Sequence, residues 1–123
     1  MTEILFVSLG AILGANTRFL ISNKLEKMNL NKKYSTLIIN TSASFCLGLF
    51  LSLIDQLSSF KYYYALVLFF SIGFLGSFST FSAFVYDLFD LCSRIKFSRA
   101  LNLFLISSFL GIIAFALGFL LGN

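Results

Sequence analysis

Four long apolar runs divide this chain, and their lengths restrict its fold more than any other feature. The runs cover about residues 4–22, 34–54, 62–91 and 99–121. A helix needs about 20 predominantly apolar residues to cross the hydrocarbon core of a bilayer. Because that core holds no water, the backbone must satisfy its own hydrogen bonds, which favours helices over open strands. The sequence therefore predicts an all-α membrane protein with four transmembrane helices, forming a single domain over residues 1–123.

The composition argues against most soluble functions. Charged residues make up only 11% of the chain, whereas soluble domains carry about 25%. Histidine, the commonest general base and metal ligand, is absent. We see no serine-centred elbow and no carboxylate pair with a plausible pocket, so we do not expect an enzyme. No basic patch interleaves with aromatic residues, so we do not expect nucleic-acid binding.

Basic residues are distributed unevenly between the loops. With four spans, both termini lie on the same side as loop 2 (residues 55–61), and loops 1 and 3 lie on the other side. Loop 2 carries one basic residue, Lys61, and loops 1 and 3 carry seven: Lys24, Lys27, Lys32, Lys33, Arg94, Lys96 and Arg99. The positive-inside rule places basic loops in the cytoplasm. We therefore expect a multi-pass protein of the cell (inner) membrane with loops 1 and 3 cytoplasmic and both termini outside.

The third apolar run is too long for one simple span, and its centre is a poor helix sequence. Two glycines and four hydroxyl residues cluster there: Gly73, Gly76, Ser77, Ser79, Thr80 and Ser82. Broken helices at this depth are tolerated where the freed backbone faces a cavity or an ion. We therefore predict that the third helix is broken mid-membrane. Beyond the break, Phe81 and Phe84 share a helical face, and the positive edges of their rings suit a small anion.

Two polar side chains within the other spans are candidates for a functional site. Asn40 places an amide, with two donor hydrogens and an acceptor, in the middle of the second span. Such residues often line a polar pathway. Arg18 cannot shed its charge, and its position near the end of the first span leaves two interpretations open. It is either a structural anchor that reaches the interface or a positive attractor for an anion.

Small residues recur at helical spacing in three of the spans. The first span has Gly10 and Gly14, the second has Thr36, Asn40, Ser44, Gly48 and Ser52, and the fourth has Ser107, Gly111, Ala114 and Gly118. Membrane helices approach each other closely through small side chains. We therefore expect these stripes to form helix–helix contacts.

Three segments resemble motifs of one known family, the Fluc (CrcB) fluoride channels, which are small four-helix proteins. Gly14-Ala15-Asn16-Thr17-Arg18-Phe19 is similar to its G-A-x-x-R-[YFW] motif. Ser35-Thr36-Leu37-Ile38-Ile39-Asn40 is similar to its G-T-L-x-[VI]-N motif. The segment from Gly73 to Phe84 is similar to G-F-x-G-G-[FL]-T-T-F-S-T-F. The three motifs occur in the family's order, and the third is the most specific.

The resemblance implies a fluoride channel that works as an antiparallel dimer with two pores and protects the cell by passive fluoride efflux. Phe81 and Phe84 match residues that line the pore with their ring edges, and Asn40 matches an asparagine that donates to fluoride. Arg18, Thr36 and Ser82 match polar positions near the pore. The resemblance also implies a structural Na⁺, not transported, bound by carbonyl oxygens at Gly76 and Ser79. In the fourth span, either Asn102 or Leu103 matches a polar position beside the pore.

The charge bias suggests a particular kind of dimer. An antiparallel homodimer requires one sequence to insert in both orientations, and hence balanced loop charges. A bias of seven to one, and an alanine (Ala83) where the family has a threonine, suggest that this chain inserts in one orientation and pairs with a related partner. A homodimer that tolerates the bias is the alternative.

Two other functions are compatible with four short spans. Small multidrug exporters share this architecture but need a carboxylate deep in the first span, where this chain has only Glu3 at the extreme end. A non-conducting partner subunit would need only the small-residue stripes. Fluoride efflux distinguishes both from a channel.

Overall fold

The structure, a computed structural model, describes residues 1–57, 59 and 61–123. In this part of the chain, four helices are long and apolar enough to cross a membrane: Thr2–Lys27, Lys32–Asp55, Tyr63–Ser93 and Phe97–Leu121. The described residues contain helices and turns, and each helix covers all or nearly all of one of the four apolar runs. The chain is therefore an all-helical, multi-pass membrane protein.

The third of these helices is built from several pieces. The first two helices are α1 (Thr2–Lys27) and α2 (Lys32–Asp55), and the last is α6 (Phe97–Gly122). Between them lie α3 (Tyr63–Leu66), a π-helical segment (Val67–Leu75), α4 (Gly76–Phe78) and α5 (Phe81–Ser93). The chain is thus bent in the middle of its third membrane segment, as the sequence predicted.

Glycines allow α1 to lie directly against the π-helical segment. A Cβ atom at Gly10 would collide with the carbonyl oxygen of Phe69, and one at Gly14 would collide with that of Phe74. Gly73 approaches from the other side, where an added Cβ would lie 2.7 Å from the Val7 carbonyl oxygen. The backbones are therefore in contact along this seam, as small residues allow in membrane helix pairs.

A second close seam joins α2 to α6. A Cβ atom at Gly48 would collide with the Phe115 carbonyl oxygen, and one at Gly118 would collide with that of Phe45. These two seams pair α1 with the third segment and α2 with α6. Large apolar side chains such as Ile4 (68% exposed) and Ile112 (68%) cover much of the remaining surface, which suits a chain surrounded by lipid.

Candidate functional site at the interrupted third helix

The third segment loses its helical conformation at two residues. Ser79 (φ −73°, ψ 156°) and Thr80 (φ −139°, ψ 109°) are extended. Helix α5 starts immediately afterwards, and the Thr80 hydroxyl caps it by accepting a hydrogen bond from Ala83 N at 3.2 Å. The preceding segment is π-helical, a rare conformation that frequently occurs at functional sites. The interruption therefore ends one helix and starts another in mid-segment.

The Asn40 side chain holds this interruption in place. Its Oδ1 accepts from Thr80 N at 2.8 Å, and its Nδ2 donates to the Thr80 carbonyl oxygen at 3.0 Å. In a continuous α-helix, Thr80 N would instead donate to the carbonyl oxygen of Gly76. Asn40 therefore removes the helical partner of the Gly76 carbonyl. The sequence singled out Asn40 but did not predict Thr80 as its partner, because the two are forty residues apart.

A cavity of about 320 Å³ opens at the interruption. Its lining residues are Asn40, Ala43, Ser44, Leu47, Ser71, Leu75, Gly76, Ser79 and Phe81. We call this the break cavity. It brings together four residues of the predicted site: Asn40, Phe81, and the two positions expected to bind a cation, Gly76 and Ser79. It also contains Ser71, which sequence reasoning did not assign to the site.

The two phenylalanines after the break differ in exposure. Phe81 is 77% exposed, whereas Phe84 is half-buried. Their ring centroids are 6.3 Å apart, with the planes tilted by 42°. Phe84 also stacks on Phe104 of α6, with the ring centroids 6.4 Å apart. Phe104 was not predicted, since nothing in its local sequence distinguishes it among 17 phenylalanines.

The remaining polar residues of the predicted site line a second cavity, of about 300 Å³. Its lining comprises Ala15, Arg18, Phe19, Ser22, Lys32, Thr36, Ile39, Thr80, Ser82 and Ala83. We call this the basic cavity. Arg18, Thr36 and Ser82 meet here, beside Thr80 but apart from Phe81. Lys32 is an addition to the predicted set and places a second cation beside Arg18. The site residues thus divide into two groups that adjoin the same interruption.

The ligands available for a metal at the break are backbone and hydroxyl oxygens. Among the described residues, no three His, Cys, Asp or Glu side chains come close enough to hold a metal ion. The Ser79 hydroxyl donates to the Leu75 carbonyl at 3.0 Å, and the oxygens that this residue could offer a cation are its carbonyl group and the lone pairs of that hydroxyl. Carbonyl oxygens suit hard cations rather than transition metals.

The two candidates of the fourth segment lie elsewhere. Asn102 and Leu103 line a separate cleft together with Lys33 and Arg99, and neither lines the break cavity or the basic cavity. Ser107 of α6, by contrast, shares a shallow groove with Ser44, which also lines the break cavity.

Comparisons with known proteins agree on one family. A family model described as "CrcB-like protein, Camphor Resistance (CrcB)" matches residues 5–119. The "Fluoride-specific ion channel FluC 2" of Prochlorococcus marinus (strain NATL2A) is 65% identical over 123 residues, covering 100% of this chain and 99% of the relative. The "Fluoride-specific ion channel FluC 1" of Parasynechococcus marenigrum (strain WH8102) is 39% identical over 120 residues, covering 98% and 93%. A FluC 1 of Carboxydothermus hydrogenoformans is 33% identical over 124 residues, covering 100% and 95%.

Proposed function

Because this chain belongs to the CrcB family, we propose that it conducts fluoride across the membrane as a subunit of a fluoride-specific ion channel. Its relatives are named as ion channels, which confirms the prediction that the chain is not an enzyme. The same names favour a channel over the multidrug exporter that four short spans left open.

The observation that carries this proposal is the Asn40–Thr80 pair. One Nδ2 hydrogen of Asn40 is used by the Thr80 carbonyl, and an amide nitrogen carries two. The second hydrogen is available to an anion in the break cavity, where the exposed ring of Phe81 also lies. Fluoride gives up a tightly held hydration shell only if donors and positive ring edges replace it. We assign Asn40 and Phe81 to the fluoride pore on this basis, and Phe84 because its ring lies beside that of Phe81.

The basic cavity supplies the attraction that brings fluoride to the break. Arg18 and Lys32 place two positive charges beside the hydroxyl groups of Thr36, Thr80 and Ser82. A cavity lined by one sign of charge raises the local concentration of counter-ions. With loops 1 and 3 in the cytoplasm, this cavity faces the cell interior. An interior-negative membrane potential then drives the anion outward, so passive conduction lowers cytoplasmic fluoride.

The residues at the break fit a structural sodium ion. The Gly76 carbonyl has lost its helical donor, Ser79 is extended, and both residues line the break cavity. These two carbonyl oxygens would hold Na⁺, which would add a fixed positive charge beside the pore without being transported. Two oxygens are too few for one cation, so we infer that a second subunit supplies an equivalent pair.

That second subunit completes an antiparallel dimer across the open break cavity. The 77% exposure of the Phe81 side chain supports a dimer here, because the Phe81 ring, which lines the cavity, can contact a partner subunit. The seven-to-one loop bias favours one orientation of this chain, and hence a heterodimer with a related chain of opposite orientation. Relatives named FluC 1 and FluC 2 are consistent with such pairs.

Fluoride efflux from liposomes tests the proposal. We expect the purified chain, alone or reconstituted with a related chain of opposite loop charge, to release fluoride from KF-loaded vesicles and to retain chloride in KCl-loaded ones. Efflux with the chain alone supports a homodimer, and efflux only with the partner supports the pair. No efflux in either preparation would overturn conduction and leave a non-conducting partner subunit.

A further inference from the structure

A cleft of about 340 Å³ lies at one end of the helix bundle, outside both cavities at the break. It is formed by the start of α2, the end of α5 and the start of α6. Its lining residues are Asn31, Lys33, Tyr34, Leu37, Leu91, Arg99, Asn102, Leu103 and Ile106. None of them lines the break cavity or the basic cavity, so the proposed pore does not account for the cleft.

The rim of the cleft carries more positive than negative charge. Lys33 Nζ lies 3.4 Å from one carboxylate oxygen of Asp90, and Arg94 Nε lies 3.4 Å from the other. Asp90 therefore serves two cations, and Asp87, a buried acid, also interacts electrostatically with Lys33. Lys33, Arg94 and Arg99 still outnumber these two acids. Arg99 is exposed and makes no salt bridge or side-chain hydrogen bond to any residue that the structure describes. The amino-terminal end of α2, a helix of 24 residues, adds its positive dipole end at the same place.

The lining changes from polar to apolar along the helices. Asn31, Lys33 and Arg99 lie at the first turns of α2 and α6. Ile106 follows Arg99 by seven residues, which places it about 10 Å deeper at 1.5 Å per residue. Leu37 and Leu103 border the same deeper part, and Ile106 is 49% exposed. A cationic rim above an exposed apolar wall matches a molecule with an anionic head and a hydrocarbon tail.

We propose that this cleft binds one anionic phospholipid, with its phosphate at Arg99 and Lys33 and an acyl chain along Leu37 and Ile106. Basic pockets between transmembrane helices on the cytoplasmic side are suited to anionic headgroups. A free phosphate would use the rim alone, whereas a lipid also covers the apolar wall. Tyr34, 59% exposed beside the rim, lies at the depth where aromatic rings meet headgroups.

A single tryptophan provides a local probe, because the chain has none. In a Tyr34→Trp variant reconstituted in phosphatidylcholine vesicles, we expect brominated phosphatidylglycerol to quench the fluorescence at lower mole fraction than brominated phosphatidylcholine. Adding Arg99→Gln should weaken this preference about fivefold, as expected for one basic residue near an anionic surface. Lys24→Gln is the matched control: it removes the same charge from an exposed residue in the last turn of α1, outside the cleft, and should leave the preference intact.

Three results would overturn the proposal. Equal quenching by the two brominated lipids would show that the cleft does not select an anionic headgroup. Equal effects of Lys24→Gln and Arg99→Gln would show that general surface charge, not the cleft, attracts the lipid. A change of Tyr34→Trp fluorescence on adding millimolar inorganic phosphate, abolished by Arg99→Gln and seen without any preference between the two brominated lipids, would show that the rim binds a free anion and not a lipid.

Discussion

Asn40 and Thr80 exchange two hydrogen bonds, in which the side-chain amide takes the place of a peptide group. The Asn40 Oδ1 accepts from Thr80 N at 2.8 Å and its Nδ2 donates to the Thr80 carbonyl at 3.0 Å. Both backbone groups of the interruption residue are thus paired although they belong to no helix or strand. The same pair sets the start of α5 against α2, and therefore the place of Phe81.

Asn40→Ala should destabilise the fold and abolish fluoride conduction together. It removes two hydrogen bonds and leaves two part-buried backbone groups unpaired, which costs about 2–4 kcal/mol of unfolding free energy. Thermal unfolding in detergent and fluoride efflux from liposomes measure the two effects. Asn16→Ala is the control, since Asn16 is exposed on α1 and should change neither. An Asn40→Ala protein as stable as the wild type would show that the pair does not hold the break.

Phe81→Leu should reduce fluoride efflux at least tenfold while leaving stability unchanged. The side chain is 77% exposed, so little packing is lost within the subunit, but the ring edge offered to the anion disappears. Phe89→Leu, on the same helix at 68% exposure, is the matched control and should conduct normally. Equal efflux from both variants would remove Phe81 from the pore.

Gly14→Ala should lower the free energy of unfolding by about 1–3 kcal/mol, the usual cost of overpacking. The added methyl group would meet the Phe74 carbonyl oxygen and the Ser77 hydroxyl. Gly111→Ala is the control, because there the nearest atom, Ser44 Oγ, lies 3.6 Å away at ordinary contact distance. Thermal unfolding of the two variants in the same detergent compares them. A Gly111→Ala protein less stable than Gly14→Ala would contradict the contact between α1 and the third segment.

The loop charges predict a single orientation in the membrane. We expect the C-terminus to lie outside the cytoplasm. A reporter that is active only outside the cytoplasm should therefore give a signal when it is fused after Asn123, and a reporter that is active only in the cytoplasm should give none. Replacing Lys24, Lys27, Lys32 and Lys33 by glutamine should allow part of the population to invert. Equal signals from the two reporters on the unchanged chain would establish dual topology and favour the homodimer.

Much of the architecture could be predicted because the signals are local. Each span is indicated by its own run of apolar residues. The bend at Ser79 and Thr80 is indicated by glycines and hydroxyl residues, which have low helix propensity. Gly10 and Gly14, read as a packing stripe, do lie in a helix contact. The roles given to the pore and cation residues stay predictions until conduction and ion binding are measured.

Other features could not be predicted, since they depend on which distant side chains meet. Thr80 as the partner of Asn40, Lys32 beside Arg18, and Phe104 stacked on Phe84 all join different helices. Local sequence does not specify the rotation of one helix against another. The packing of the helices also places Phe81 and Arg18 in separate cavities, whereas the motifs alone had placed both residues in one site.

By itself, the sequence determined that the chain crosses the membrane four times and that the helix of the third crossing is interrupted near its centre. Both outcomes follow from the free energy of transfer into lipid and from helix propensity, to which each residue contributes separately. Only the tertiary structure decided that the Asn40 side chain of α2 pairs with the backbone of Thr80 and that two cavities adjoin this interruption. Those outcomes depend on backbone seams at glycines and on hydrogen bonds between residues far apart in the chain, which exist only once the helices have packed.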